Sequence, residues 1–142
     1  MTELILEIFR LNGLLLAEGD RLTKALGLTS SRWQVMGALA KGPLSAAQIA
    51  RKMGLKRQSV QRLVDLLEEE GIVRFEENPD HRRAKLVRMT EAGQRKYAEI
   101  SDIQAGWVNL LSRGVKTVEL ESALGLLREI QVRLRRGADR AR

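Results

Sequence analysis

Two short helical runs joined by a glycine turn, within residues 45–70, constrain the fold of this chain most tightly. Ser45-Ala46-Ala47-Gln48 has the form of a capping box, in which a serine hydroxyl and a glutamine three residues on satisfy each other's backbone N–H groups. Gly42 suits a left-handed helix end and Pro43 cannot continue a helix, so the preceding segment stops there. The helix opened at Ser45 runs to Lys52, and Met53-Gly54-Leu55 breaks it. From Lys56 to Glu70, Val60, Leu63, Val64 and Leu67 recur on one helical face, and Gly71 ends the run. Such a pair is a helix-turn-helix.

The surroundings of this pair point to a mainly α fold with a small β-hairpin wing. Upstream, Thr29, Ser30 or Ser31 can cap a helix that carries Trp33 and ends near Ala40. Downstream, Ile72–Glu77 and Lys85–Met89 read as strands flanking the charged turn Asn78-Pro79-Asp80-His81-Arg82-Arg83. Thr90 then caps a long helix to about Ser112, with Tyr97, Ile100, Ile103, Trp107, Val108 and Leu111 on its buried side. Arg113-Gly114 breaks the chain. A last helix carries Leu120, Leu124, Leu127, Ile130 and Leu134 and gives way to a basic tail. At the N-terminus, Leu4, Ile8, Leu11, Leu15, Leu22 and Leu26 form one helical face, which Gly13 and Gly19 open to kinking. Ile5, Leu14 and Leu16 widen that face beyond the needs of one packing partner, which makes a subunit interface a natural candidate.

Composition removes several alternatives. At 142 residues, with 44% hydrophobic and 30% charged side chains, the chain can bury a core as one domain without staples. Without cysteine there are no disulfides, thiolate metal sites or thiol nucleophiles. One histidine and no phosphate-binding glycine loop leave few ways to build an active site, so no enzyme, metal or cofactor is expected. Glu3 and Glu7 stand where a secretory signal would be basic, and no apolar stretch is long enough to span a bilayer. A soluble, cytoplasmic protein is expected, with no membrane partner.

The formal net charge of +7 permits a polyanionic partner. Its distribution argues more strongly. The second helix of a helix-turn-helix enters the DNA major groove with its N-terminal residues toward the bases. Here that end reads Lys56, Arg57, Gln58, Ser59, Gln61 and Arg62, and the acids come later, at Asp65 and Glu68 to Glu70. Arg can clasp guanine and Gln adenine with two hydrogen bonds each, while Ser and Lys suit phosphates. A solvated amphipathic face explains most such helices taken alone. The hairpin tip, however, adds Arg82, Arg83 and Lys85, with Arg88 further along the return strand. An arginine tip can enter a narrow minor groove, although a charged tip also keeps a sheet edge soluble. The two basic elements together favour duplex DNA.

From Leu28 to Gly93 the chain resembles the multiple-antibiotic-resistance regulator (MarR) family of winged helix-turn-helix transcription regulators. The matching pieces are Leu28-Thr29, Trp33-Gln34-Val35-Met36, Leu44-Ser45, Ile49-Ala50, the run Gln58 to Glu68, Gly71-Ile72-Val73, and the wing end Arg82 to Gly93. The resemblance implies a homodimer whose terminal helices, residues 1–27 and 94–137, intertwine, followed by a basic tail at 138–142. Leu4, Ile8, Leu11 and Leu15, with Leu120, Leu124, Leu127 and Ile130, are the candidate dimer contacts. Ser45 is a candidate contact to the DNA backbone at a helix start. The family's wing carries Asp-x-Arg, and counting back from Thr90 sets that arginine on Arg83 and the aspartate position on His81, with Asp80 one residue early. The resemblance also implies a small aromatic effector, for which Trp33, Met36 and Trp107 are candidate pocket residues, although core packing suits each of them equally.

The expected function is a sequence-specific duplex-DNA-binding regulator, a dimeric repressor on a roughly palindromic site. The alternative is a winged-helix module that binds protein. Such a surface favours exposed aromatics or Met, whereas the second helix carries Lys, Arg, Gln and Ser.

Overall fold

A computed structural model describes residues 1–140. Its elements run α1 (Thr2–Thr23), a 3-10 turn (Lys24–Leu26), α2 (Ser30–Leu39), β1 (Leu44–Ser45), α3 (Ala46–Met53) and α4 (Arg57–Glu69). They continue with β2 (Val73–Glu76), β3 (Leu86–Met89), α5 (Glu91–Leu111) and α6 (Thr117–Arg140). The fold is mainly helical with one small antiparallel sheet, in the strand order β1-β3-β2.

The local signals act as their chemistry predicts. Thr29 is the cap of α2, its hydroxyl accepting from the Arg32 N–H. At α3 the capping box closes in both directions: the Gln48 N–H donates to Ser45 Oγ at 3.3 Å and the Ser45 N–H to Gln48 Oε1 at 2.8 Å. Gly54 adopts a left-handed φ of 69° between α3 and α4, a conformation that would strain any side-chain-bearing residue. Helix α4 buries Val60, Val64 and Leu67 and half-buries Leu63.

A third strand joins the expected hairpin. Leu44 and Ser45 pair with Val87 and Leu86, while β2 pairs β3 from Val73↔Met89 to Glu76↔Leu86. Ser45 is therefore both the end of a strand and the cap of α3, which ties the wing to the helix-turn-helix. Gly13 and Gly19 leave α1 as one unbroken helix. At Gly19 the absent side chain serves packing instead, since a Cβ there would lie 2.7 Å from Ser30 Oγ. Across that contact Asp20 Oδ1 accepts the Ser30 N–H at 2.7 Å and so helps to cap α2.

The chain forms two compact units, Met1–Ala105 and Gly106–Arg142. The reason lies in the core. Its buried apolar cluster, centred on Met36, Ile49, Val64, Leu67 and Val87, extends from Leu28 to Ile100 and no further. Helix α5 accordingly buries Ile100 and half-buries Tyr97 and Trp107, but Ile103, Val108 and Leu111 are exposed, contrary to the expected apolar side. In the second unit no residue between 106 and 137 is buried. Helix α6 carries Arg135 and Arg136 and runs to Arg140; of the basic tail expected at 138–142, residues 141–142, Arg142 among them, lie outside the described residues.

Candidate nucleic-acid interface

The strand pairing brings the hairpin alongside the helix-turn-helix, and an open groove of about 1000 Å³ separates them. Arg57 and Gln61 line it from α4, one helical turn apart, and Arg83 and Lys85 line it from the wing. With Ser45, which lines it as well, five positions expected from the sequence share one groove. Lys56, at the N-cap of α4, and Gln58, Ser59 and Arg62 within it are exposed but do not line the groove, and neither does Arg82 at the wing tip. Gln58 and Arg62 are again one turn apart and project together. The α4 surface therefore has two polar rows, one toward the wing and one beside it.

Arg51, from the last turn of α3, also lines the groove. The basic pair Arg51-Lys52 is its only sequence signal, and the two part company in the fold: Lys52 Nζ donates to the Ala38 carbonyl at 3.0 Å. Two acids share the groove as well, Asp65 of α4 and Asp80 of the wing. Asp65, expected at the far, acidic end of the helix, accepts the Gln61 amide, Nε2 to Oδ1 at 2.8 Å.

The wing is built to hold its tip forward. Arg74 and Arg88 face each other across β2 and β3, a like-charge pair that would repel. Glu76 lies between them and accepts from Arg88 Nε at 2.8 Å and from Arg74 Nη2 at 2.8 Å. The two guanidinium groups, Arg88 foremost, hold the Glu76 carboxyl below the ordinary glutamate range. Arg88, counted among the basic wing residues from sequence, is consequently engaged within the sheet. At the base of the tip, Lys85 Nζ sits 5.8 Å from the centroid of the Phe75 ring, in cation–π range. The turn itself is closed by the Asp80 N–H donating to Asn78 Oδ1 at 3.0 Å and by the His81 N–H donating to the Asn78 carbonyl at 3.2 Å. His81 and Asp80 both line the groove with Arg83. The Arg83 side chain is exposed.

The inclination of α4 has its own brace. Arg32, at the start of α2, donates from Nη1 to Glu70 Oε1 at 2.6 Å, at the C-terminal end of α4. The Arg32 side chain is 19% exposed and that of Glu70 36%, so the pair is more shielded from solvent than a fully exposed ion pair.

The remaining sequence-derived positions have different settings. Ser45, expected to touch the DNA backbone, lines the groove but is only 7% exposed, and its hydroxyl oxygen accepts the Gln48 N–H in the α3 cap. Met36 is fully enclosed in the core, Trp33 packs half-buried against it, and Trp107 lies in the second unit. Neither the wing groove nor a smaller cavity of about 290 Å³, lined by Leu39, Met89 and Tyr97 among others, is lined by any of these three. Leu4, Ile8 and Ile130 are half-buried; Leu11, Leu15, Leu120, Leu124 and Leu127 are exposed. Among the described residues no His, Asp or Glu group is arranged to hold a metal ion, and no helix is long and apolar enough to cross a membrane.

Comparison with known proteins agrees with this geometry. A profile of the MarR family matches residues 26–84. The protein Rv2011c of Mycobacterium tuberculosis is 32% identical over 135 residues, covering 95% of this chain and 94% of its own. Among solved structures, the transcriptional regulator BldR of Sulfolobus solfataricus superimposes with a TM-score of 0.79 at 26% identity, over 93% of this chain and 92% of that one. A MarR/EmrR family transcriptional regulator from Acinetobacter sp. ADP1 shares the fold with a TM-score of 0.86 at 21% identity, over 95% and 96% of the two chains.

Proposed function

The chain belongs to the MarR family of winged helix-turn-helix transcription regulators, and we propose that it is a sequence-specific repressor that binds duplex DNA as a homodimer. The observation that carries this reading is the shared groove: Arg57 and Gln61 of α4 face Arg83 and Lys85 of the wing across it. A helix reading the major groove and a tip entering the adjacent minor groove must straddle one phosphate backbone, and cations on both walls favour its passage. In this reading Gln58 and Arg62 join Gln61 in contacting base edges. Lys56, Arg57, Ser59, Arg82 and Lys85 meet phosphates, and Arg83 enters the minor groove.

Exposed apolar side chains support the homodimer. In the second unit Leu120, Leu124 and Leu127 are 38–49% exposed, and Leu11 and Leu15 of α1 are exposed by 52% and 43%. A helical segment with no buried residue of its own needs an apolar partner surface, and a second copy supplies an identical one. Two recognition helices related by a twofold axis then read half-sites about one helical turn apart. Release by a small aromatic effector belongs to the same proposal. Its support is family membership, and it would act by binding more tightly to a spacing of the two winged regions that cannot reach both half-sites.

Selection from a pool of random duplexes, followed by affinity measurement at several salt concentrations, tests the reading. An inverted repeat should be enriched, and Gln58→Ala or Arg62→Ala should each relax preference at particular base pairs by roughly 1–3 kcal/mol. Absence of salt-sensitive binding to any duplex would overturn it.

A further inference from the structure

We propose that Asp65 is a specificity-determining residue of the α4 face, acting on DNA through Gln61 and through its own charge; this rests on the DNA-binding reading above. A free glutamine side chain presents either a donor or an acceptor at a given point, because its amide can flip. A carboxylate beside it removes that freedom, since it offers only acceptors. With Nε2 of Gln61 bound to Asp65 Oδ1 at 2.8 Å, the carbonyl oxygen is turned away from Asp65, and one N–H remains beside it. The amide therefore offers donor and acceptor in one order, so it matches one base edge and rejects the reverse. Holding the amide beforehand also lowers the rotamer entropy lost on binding.

The second effect is electrostatic. Arg51, Arg57, Arg83 and Lys85 line the groove and attract a phosphate backbone of any sequence. Asp65 lines the same groove and opposes that attraction at the point where Gln61 reads. Binding that relies on phosphates alone is weakened, while binding that gains the Gln61 contact is retained. Discrimination rises at the expense of total affinity.

Four variants separate the two effects, measured on the selected duplex and on its single-base-pair substitutions at two salt concentrations. Asp65 and its neighbours on this face are outside the core, and circular dichroism checks that each variant keeps its fold. Asp65→Asn loses the charge and can also donate to the Gln61 carbonyl, so the amide is free to flip: base preference at the Gln61 base pair should relax, overall affinity should rise and the salt dependence should steepen. Asp65→Ala should lose about tenfold in discrimination at one base pair. Gln61→Ala should lose it at the same base pair, and the double variant should lose no more than either single one. The proposal is overturned if Asp65→Asn keeps the wild-type base preference, or if the Asp65→Ala and Gln61→Ala effects fall on different base pairs or multiply. A wild-type protein that binds no duplex removes the DNA reading itself. A wild type that binds specifically beside unaffected Asp65 variants removes only the role of Asp65.

Discussion

Gly93 lies against Ile72 so closely that a Cβ on the glycine would fall 2.1 Å from the Ile72 carbonyl oxygen. The same oxygen accepts the Thr90 N–H at 3.0 Å, and Thr90 Oγ1 donates to the Gly71 carbonyl at 2.6 Å. The first turn of α5 is thereby pressed onto the residues that lead from α4 into the wing. Backbone on one side and backbone on the other leave nothing flexible to yield. Gly93→Ala should destabilise the fold by roughly 1–3 kcal/mol, read as a lowered denaturant midpoint at unchanged slope. A variant as stable as wild type would mean that α5 starts elsewhere.

Arg83→Ala should weaken DNA binding most where the sequence flanking the recognition-helix contacts is rich in A·T, because there the minor groove is narrow and its potential most negative. Lys85→Ala should weaken binding about equally on all flanks and lower the salt slope by about one. Fluorescence anisotropy on a pair of duplexes differing only in flanks distinguishes the two. Equal losses on both duplexes for Arg83→Ala would place the arginine on phosphate.

The Glu76 carboxyl, held below its ordinary range by Arg88 and then Arg74, couples wing stability to pH. A folded-state pKa below the unfolded one gives a contribution that is complete above the ordinary glutamate value. It is lost as the pH falls through the depressed value. Glu76→Gln should therefore be less stable than wild type at neutral pH, and urea midpoints of the two proteins should converge as the pH is lowered into that range. A constant gap down the whole acid series would show that the carboxylate's charge is not what holds the arginines.

Ser45→Ala removes one half of the α3 capping box and should cost about 1 kcal/mol of stability. Because the side chain is buried, its loss should appear in thermal unfolding, with the base preference of the protein unchanged. A shift in base preference would return Ser45 to the DNA-contacting set.

Leu127→Glu in α6, or Leu15→Glu in α1, adds a charge to a surface already exposed in one copy of the chain, so neither should unfold it. If those leucines meet a second copy, the burial of a carboxylate opposes association. Sedimentation should then report a smaller species, and DNA titrations should lose the cooperative occupation of two half-sites. Unchanged mass for both variants argues against these faces as the dimer contact.

Much of this architecture is legible in the sequence because it is local. The Ser45–Gln48 box, the glycine at position 54 and the period of Val60, Val64 and Leu67 each act within a few residues, so pattern alone finds them. Strand β1 escapes such reading because two residues make no pattern; Leu44 and Ser45 become a strand only through Val87 and Leu86. The charges are harder still. Arg88 looks like another free wing cation until Glu76 is found across the sheet, and Asp65 looks like part of an acidic helix end until the wing closes over that face. The long apolar row of α5 misleads in the other direction, since its spacing continues past Ile100 although the core does not.

The tip of the wing, from Asn78 to Ala84, is shaped by hydrogen bonds made inside the turn itself: Asn78 to Asp80 and His81, and His81 to Ala84. It is a detachable cassette. Mutations there can drift, lengthen the turn or import another relative's version while the helices beneath it keep their packing. On the DNA-binding reading proposed above, a lineage carrying this scaffold acquires new targets in small steps, and an engineer can graft one tip onto another's frame for the same reason.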